Sequence, residues 1–333
     1  MLGTRFATRL NAFKFGSSAV ESVISDNAGT LQQLRRVAAV KGLTDVDLNY
    51  PDHVFGIGAD FAEQVRDLGL SMNGLAMRFG SNRKFASGAF TCADPKIRQE
   101  AIDLTKRGID ASRECGADLM TVWLGEDGFD YGFQADYERI WNDEIQAIRE
   151  IALHDIECRI SIEYKPNEPR AFAVLPDLTA TLLALAEADC PNLGVTLDFA
   201  HMLYGGEHPP ATAALAARKS TIFGVHLNDG YGKRDDGLMV GSVHLAATLE
   251  FLYQLLKASY QGVIYFDTFP DAGGIDPASE CECNIKITKR LIKAASELLT
   301  TGELNNAMER QDPVASRHIV NRVISRTFDE SMP

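Results

Sequence analysis

Short β-rich apolar runs alternate with longer segments of helical periodicity along most of the chain. The runs predict strands over residues 5–10, 43–49, 70–77, 118–124, 158–163, 193–198, 221–227 and 262–267. Helical patterns separate them, among them QQLRRVAAVKG, DPKIRQEAIDLTKRGIDASRECG, ADYERIWNDEIQAIREIALHD, HLAATLEFLYQLLKASY and SECECNIKITKRLIKAASELL. Several end in glycine one residue before the next apolar run, as helix C-caps do. Eight strands alternating with eight helices predict a parallel sheet closed into a (β/α)8 TIM barrel rather than an open sheet. No GxGxxG follows the first strand, which disfavours a dinucleotide-binding sheet.

The barrel is expected to occupy residues 1–299, and 300–333 form a C-terminal extension. There a polar stretch, TGELNNAMERQDP, leads into RHIVNRVISRTF, with Ile319, Val320, Val323, Ile324 and Phe328 at helical spacing. An apolar stripe beyond a complete barrel needs cover. Either the chain's own barrel or a neighbouring subunit supplies it, and the residues leave both open; a homodimer or homotetramer is expected.

Composition narrows the function classes. The 333 residues, 45% hydrophobic and 24% charged, suit one α/β barrel with a modest extension. A net charge of −13 argues against nucleic acid as a partner, because no Lys/Arg cluster replaces condensed counterions. No run of about eighteen apolar residues predicts a membrane span. The first fifteen residues carry Arg5, Arg9 and Lys14 but no apolar signal core, so RFATRLNAF is read as the first strand. The six cysteines lack disulfide spacing, and the C-x-C at Cys281 and Cys283 has no second pair to complete a zinc site. Free thiols in a reducing cytoplasm are the expectation.

In barrel enzymes chemistry sits at the C-terminal ends of the strands. Strand five ends Glu163-Tyr164-Lys165, which puts Glu163 and Lys165 on the same inward face; an ion pair between them is the plain structural alternative. Strand six ends at Asp198, with His201 on the ensuing turn. Strand seven presents His226 and Asn228, and strand eight ends at Asp267. Four consecutive strand ends thus give Glu, Asp, His and Asp. Three carboxylates converging without a cation would repel one another. Oxygen and nitrogen donors without thiolate favour a divalent metal such as Mn2+, Mg2+ or Co2+ over structural zinc.

The segment EYKPNEPR (163–170) resembles the EPKPNEPR signature of xylose isomerases. VWLGEDGFDY, LDFAHMLYGGE, VHLNDGYGKRDDGLMVG and YFDTFP follow the same family's order through about residues 115–270. The resemblance implies a small-sugar substrate, with Glu163, Asp198, His226 and Asp267 holding one metal. It further implies His201 and Asp235 as ligands of a second metal that Asp198 bridges, Lys165 polarising the substrate carbonyl oxygen, and Trp123 as an apolar wall. His226 and Tyr164 depart from xylose isomerases and look like rhamnose isomerases and ketose 3-epimerases. Gly237 replaces an aspartate ligand of the second metal. Asn49 stands where the ring-opening histidine is expected, with His53 a possible substitute, so a short or open-chain sugar is expected. Asn228 is read as a substrate contact; Phe13, Phe15, Asn73, Arg78 and Phe85 are further candidates to line the pocket.

The reading is a metal-dependent aldose–ketose isomerase, working by hydride shift or through an enediol with Lys165, Glu163 and Asp267 as catalytic groups. A ketose 3-epimerase on the same scaffold is the alternative, and a keto-sugar or sugar-acid dehydratase a more distant one. Against the epimerase stand the short Asp267 and an otherwise idle Lys165. From other classes, an abasic-site endonuclease would need a basic rim and more than seven histidines, and a non-catalytic sugar-binding barrel would not need the Glu163 and Lys165 pair.

Overall fold

The computed structural model describes residues 5–14, 26–54 and 60–329. All eight predicted strands are present: β1 Phe6–Thr8, β2 Asp45–Tyr50, β3 Ser71–Met77, β4 Leu119–Trp123, β5 Arg159–Glu163, β6 Leu193–Asp198, β7 Ile222–Leu227 and β8 Ile264–Phe266. They pair in parallel in the order β1-β8-β7-β6-β5-β4-β3-β2. The ends of that order meet through a parallel bridge between Arg9 and Asp47 and a 3.0 Å bond from the Thr44 N–H to the Phe6 carbonyl. The fold is a (β/α)8 TIM barrel.

β6 buries every one of its residues, as a parallel strand covered on both faces must. Inside the barrel, beneath the strand ends, the Ser161 and Thr196 hydroxyls bond at 2.6 Å. A Cβ on Gly224 would stand 2.5 Å from Thr196 Oγ1, so only glycine leaves room for that bond.

The helices in chain order are α1 Asp26–Ala38, α2 Phe61–Asp67, α3 Pro95–Glu114, α4 Tyr137–Ala152, α5 Leu178–Ala188, α6 Phe199–Tyr204, α7 Pro209–Lys219, α8 Leu245–Lys257, α9 Pro270–Gly273, α10 Pro277–Thr300, α11 Glu303–Glu309 and α12 Pro313–Phe328. Three begin with Asp-Pro. Asp94, Asp276 and Asp312 accept a backbone N–H of the first turn, and the proline takes the position where a missing donor costs nothing. Gly116, at φ +79° after α3, is a C-cap of the kind its sequence position predicts.

Two local differences from the predicted elements shape the site. The first strand ends at Thr8, and Leu10–Phe13 coil into a 3-10 turn that carries Asn11 to the barrel mouth. The turn expected after β6 is itself a helix, α6, whose N-cap is Asp198. The loop after β4 is tied down by Asp127, which accepts from the Ala89, Phe90 and Thr91 N–H groups and from the Thr91 hydroxyl. An antiparallel ribbon, Gly128–Phe129 against Phe172–Ala173, then joins this loop to the one after β5.

The C-terminal extension folds back on its own barrel. Val323 is buried, and Ile319, Val320, Ile324 and Phe328 pack against the core. Arg326 pairs with Glu297 on α10, Arg322 with Glu303 on α11, and the Tyr253 hydroxyl donates to Asn305 at 2.9 Å. The six cysteines are unpaired. Among the described residues no helix is long and apolar enough to cross a membrane.

Candidate metal centre

Parallel pairing brings successive strand ends level. Glu163 lies beside Thr196, Asp198 beside His226, and Tyr265 beside His226, so that Asp267 extends one step beyond. One donor atom from each of Glu163, Asp198, His226 and Asp267 falls within 4.8 Å of all the others. His226 Nδ1 is 3.2 Å from Glu163 Oε1 and 3.8 Å from both Asp198 Oδ2 and Asp267 Oδ2. All four side chains are buried.

Such a cluster is short of positive charge. Burial raises the Glu163 carboxyl, but the His226 imidazolium and Arg78 outweigh it and hold Glu163 below the usual carboxylate range. Burial and the charges of Asp235 and Asp267 push Asp198 up to about 6, against the pull of His201. Burial lowers the His226 imidazole, yet Glu163, Asp267 and Asp198 together raise it to about 9. Protons are drawn into the cluster to offset its carboxylates. Glu163 Oε2 and His226 Nδ1 are nevertheless buried without a hydrogen-bond partner, as metal-ligand atoms are in the absence of the ion. The residues fit an oxygen- and nitrogen-liganded divalent cation.

The second group is His201, Asp235 and Lys165, and Asp235 Oδ1 is likewise buried without a hydrogen-bond partner. His201 Nδ1 donates to the Tyr164 carbonyl at 3.1 Å, and Nε2 lies 3.2 Å from Asp235 Oδ2. Lys165, which the strand alternation would also pair with Glu163, instead donates to Asp235 Oδ2 at 3.0 Å and sits 3.3 Å from Glu168. Burial lowers its ammonium, but Asp235 and Glu168 more than reverse this and raise it above the ordinary lysine value. Gly237 shows why no third carboxylate stands here. A Cβ at this position, where φ is +56°, would lie 2.3 Å from the Phe269 ring. Gly237→Asp is therefore expected to lose about 2–3 kcal/mol of folding stability from overpacking rather than to gain a metal ligand. Urea unfolding checks this, and a second substitution, Phe269→Ala, should recover part of the loss.

The cluster opens into a cavity of about 240 Å³. Of the predicted substrate contacts, Trp123, Asn49, Lys165 and His201 line it, as does Asp235. Two others stand behind the wall. Asn228 is fully buried and spends its amide on both Asp198 oxygens at 3.2 Å and on the Asp267 carbonyl at 3.1 Å. His53 accepts the Asn49 N–H at 3.0 Å and bonds Asn11 Oδ1 at 2.8 Å, so both ring nitrogens are used in holding wall residues. Phe13 and Phe85 are buried in the core, Asn73 bonds Asp47, and Phe15 lies outside the described residues. Arg78 does line the cavity. So do Arg9, Asn11, Tyr265 and Phe269, none of which was singled out from sequence. Arg9 follows β1 just as Asp267 follows β8, and Tyr265 is two residues before Asp267, so the same strand-end rule reaches both.

Burial, and then the charges of Arg78, Lys14 and Arg9, pull the His53 imidazole down to about 4. It is therefore neutral in the folded protein where the unfolded chain would be protonated. Stability present above about pH 6.5 is lost as pH falls toward 4, by at most about 3 kcal/mol. His53→Gln should flatten the decline in unfolding free energy between pH 7 and 4.5 by a comparable amount.

A family model described as xylose isomerase-like TIM barrel matches residues 34–295. The chain belongs to the xylose isomerase-like TIM barrel family. Within it, the chain is 29% identical over 214 residues to xylose isomerase of Thermus thermophilus, a match covering 62% of this chain and 55% of that enzyme. Xylose isomerase of Thermus caldophilus is 26% identical over 268 residues, covering 77% and 69%. The first match thus spans little more than half of the relative. Among solved structures, an L-ribulose 3-epimerase shares the fold with a TM-score of 0.66 at 15% identity, over 90% of this chain and 98% of that one.

Proposed function

We propose that the protein is a divalent-metal aldose–ketose isomerase acting on a small, open-chain sugar. The observation that carries this reading is Lys165. Its ammonium is fixed in the cavity wall by Asp235 and Glu168, 5.3 Å from the Trp123 ring centre, beside the Glu163, Asp198, His226 and Asp267 cluster. A permanent cation beside a metal centre is suited to a carbonyl oxygen that gains negative charge during isomerisation.

Glu163, Asp198, His226 and Asp267 would hold the metal, and the chemistry supplied there is Lewis acidity toward adjacent sugar oxygens. Lys165 donates a hydrogen bond to the substrate carbonyl oxygen and retains its proton throughout. Trp123 covers the carbon chain and keeps water from it. Asn228 acts indirectly, holding the Asp198 carboxylate in place. Hydrogen passes between C1 and C2, either directly or through an enediol. In the second route Asp267 or Glu163 is the carboxylate that carries the proton. His201 and Asp235 orient Lys165 and contact substrate rather than a second ion.

Two features support a substrate that needs no ring opening. His201 is the only imidazole lining the cavity among the described residues, and it is spent on Tyr164 and Asp235. On the β2 side the cavity presents Asn49, not histidine. The xylose isomerase relatives favour isomerisation over epimerisation, and a 3-epimerase is the outcome to test against. Mn2+-loaded protein incubated in D2O with aldotetroses and aldopentoses should yield ketoses with no deuterium at C3, read by NMR. Deuterium at C3 of a ketose would replace isomerisation with epimerisation.

A further inference from the structure

Resting on that reading, we propose that the substrate bears an anionic group, a carboxylate or a phosphate, close to its reacting carbons, and that Arg78, flanked by Arg9, recognises it. Arg78 follows β3 and Arg9 follows β1, and both line the cavity that holds the metal cluster. Each guanidinium lies against an aromatic wall, Arg78 over Trp123 at 5.4 Å and Arg9 over Phe269 at 4.9 Å. A guanidinium beside a ring face still has N–H donors to offer an acceptor.

The two arginines differ in what they already have. Arg9 is paired with Asp271 at 2.6 Å. Arg78 donates only its Nε–H, to Asn49 Oδ1 at 3.2 Å; among the described residues its Nη groups make no hydrogen bond. Its nearest anion is Glu163 Oε2, 3.9 Å from Nη1, too far for a hydrogen bond.

The ion pairs of the cavity set Arg78 apart. Lys165 is matched by Asp235 and Glu168, and Arg9 by Asp271. A divalent ion in the cluster would compete for the Glu163 carboxylate and leave the Nη groups of Arg78 without a hydrogen-bond acceptor among the described residues. In a chain of net charge −13, the β1–β3 side of the mouth gathers Arg9 and Arg78, whose charges, with that of Lys14, are felt at His53. A neutral hydroxyl would need only an amide such as Asn49 or Asn11. A forked cation selects a group with two acceptor oxygens. Sugar acids or sugar phosphates are the preferred substrate class, with neutral sugars turned over more weakly.

The test is calorimetric binding of ribitol, ribonate and ribitol 5-phosphate to Mn2+-loaded protein, in wild type and in Arg78→Met. One of the two anions should bind about 30-fold more tightly than ribitol, as a charge-assisted pair warrants. That ratio should fall to about threefold or less in Arg78→Met. Preference for ribonate identifies a carboxylate, and preference for ribitol 5-phosphate a phosphate. Equal affinities for all three overturn the inference, and so does a preference that survives Arg78→Met, which would place the anion on the metal instead. Should Arg78→Met not fold, Arg78→Lys decides: a ratio lowered at least about threefold supports the assignment, and an unchanged ratio overturns it. Mn2+-dependent binding of ribitol without anion preference would remove this inference and leave the isomerase reading standing. If none of the three binds, both fall.

Discussion

Glu163→Gln is expected to abolish tight Mn2+ binding and to lower turnover at least about a thousandfold. The substitution preserves shape and removes one of three carboxylates whose donor atoms converge with His226 Nδ1 inside 4.8 Å. A cation draws most of its binding energy from those charges, and an amide oxygen beside Asp198 and Asp267 supplies little of it. Two measurements separate loss of metal from loss of fold. Electron paramagnetic resonance counts free Mn2+ against bound. Thermal unfolding reports linkage: a ligand at about a thousand times its dissociation constant stabilises the wild type by about 4 kcal/mol, and the variant should gain nothing. A variant that still melted higher with Mn2+ would show that the ion sits elsewhere.

The four positions of the Glu163, Asp198, His226 and Asp267 cluster were legible because they depend on one local rule. A strand end in a parallel barrel faces the mouth, and alternate residues face the same way, so Glu163, Asp198, His226 and Asp267 could be placed from strand boundaries alone. Sequence could not say which cation meets which carboxylate. Glu163 and Lys165 share an inward face, yet Lys165 reaches Asp235 on the loop after β7, seventy positions away, and no local pattern encodes that reach. The same holds for Gly237. Its replacement of a family aspartate is visible in the sequence, but its cause, the Phe269 ring lying where a Cβ would be, is a contact between two loops. His53 was a reasonable substitute for a ring-opening residue by spacing. The 3-10 turn after the short β1 places Asn11 between it and the cavity, and the apolar run that continues through Leu10 conceals where the strand stops, at Thr8.

Lys165→Met should lower kcat by about a thousandfold while leaving Mn2+ binding within about threefold of wild type. The ammonium is bonded to Asp235 and Glu168 and does not belong to the group of four side chains that converges within 4.8 Å. Asp235 would still have His201, at 3.2 Å, to hold it in place. What the variant loses is a fixed positive charge at the carbonyl oxygen, and a preorganised donor in a water-poor site contributes about 3–4 kcal/mol to the transition state. The loss should therefore fall on kcat more than on KM. Lys165→Arg should not rescue it, because the larger guanidinium cannot occupy the space between Asp235, Glu168 and the Trp123 face as a compact point charge. Metal analysis and steady-state kinetics on the same preparations decide the matter. A variant with Mn2+ bound and full turnover would strip Lys165 of its role, and with it the feature that separates isomerisation from epimerisation at this site.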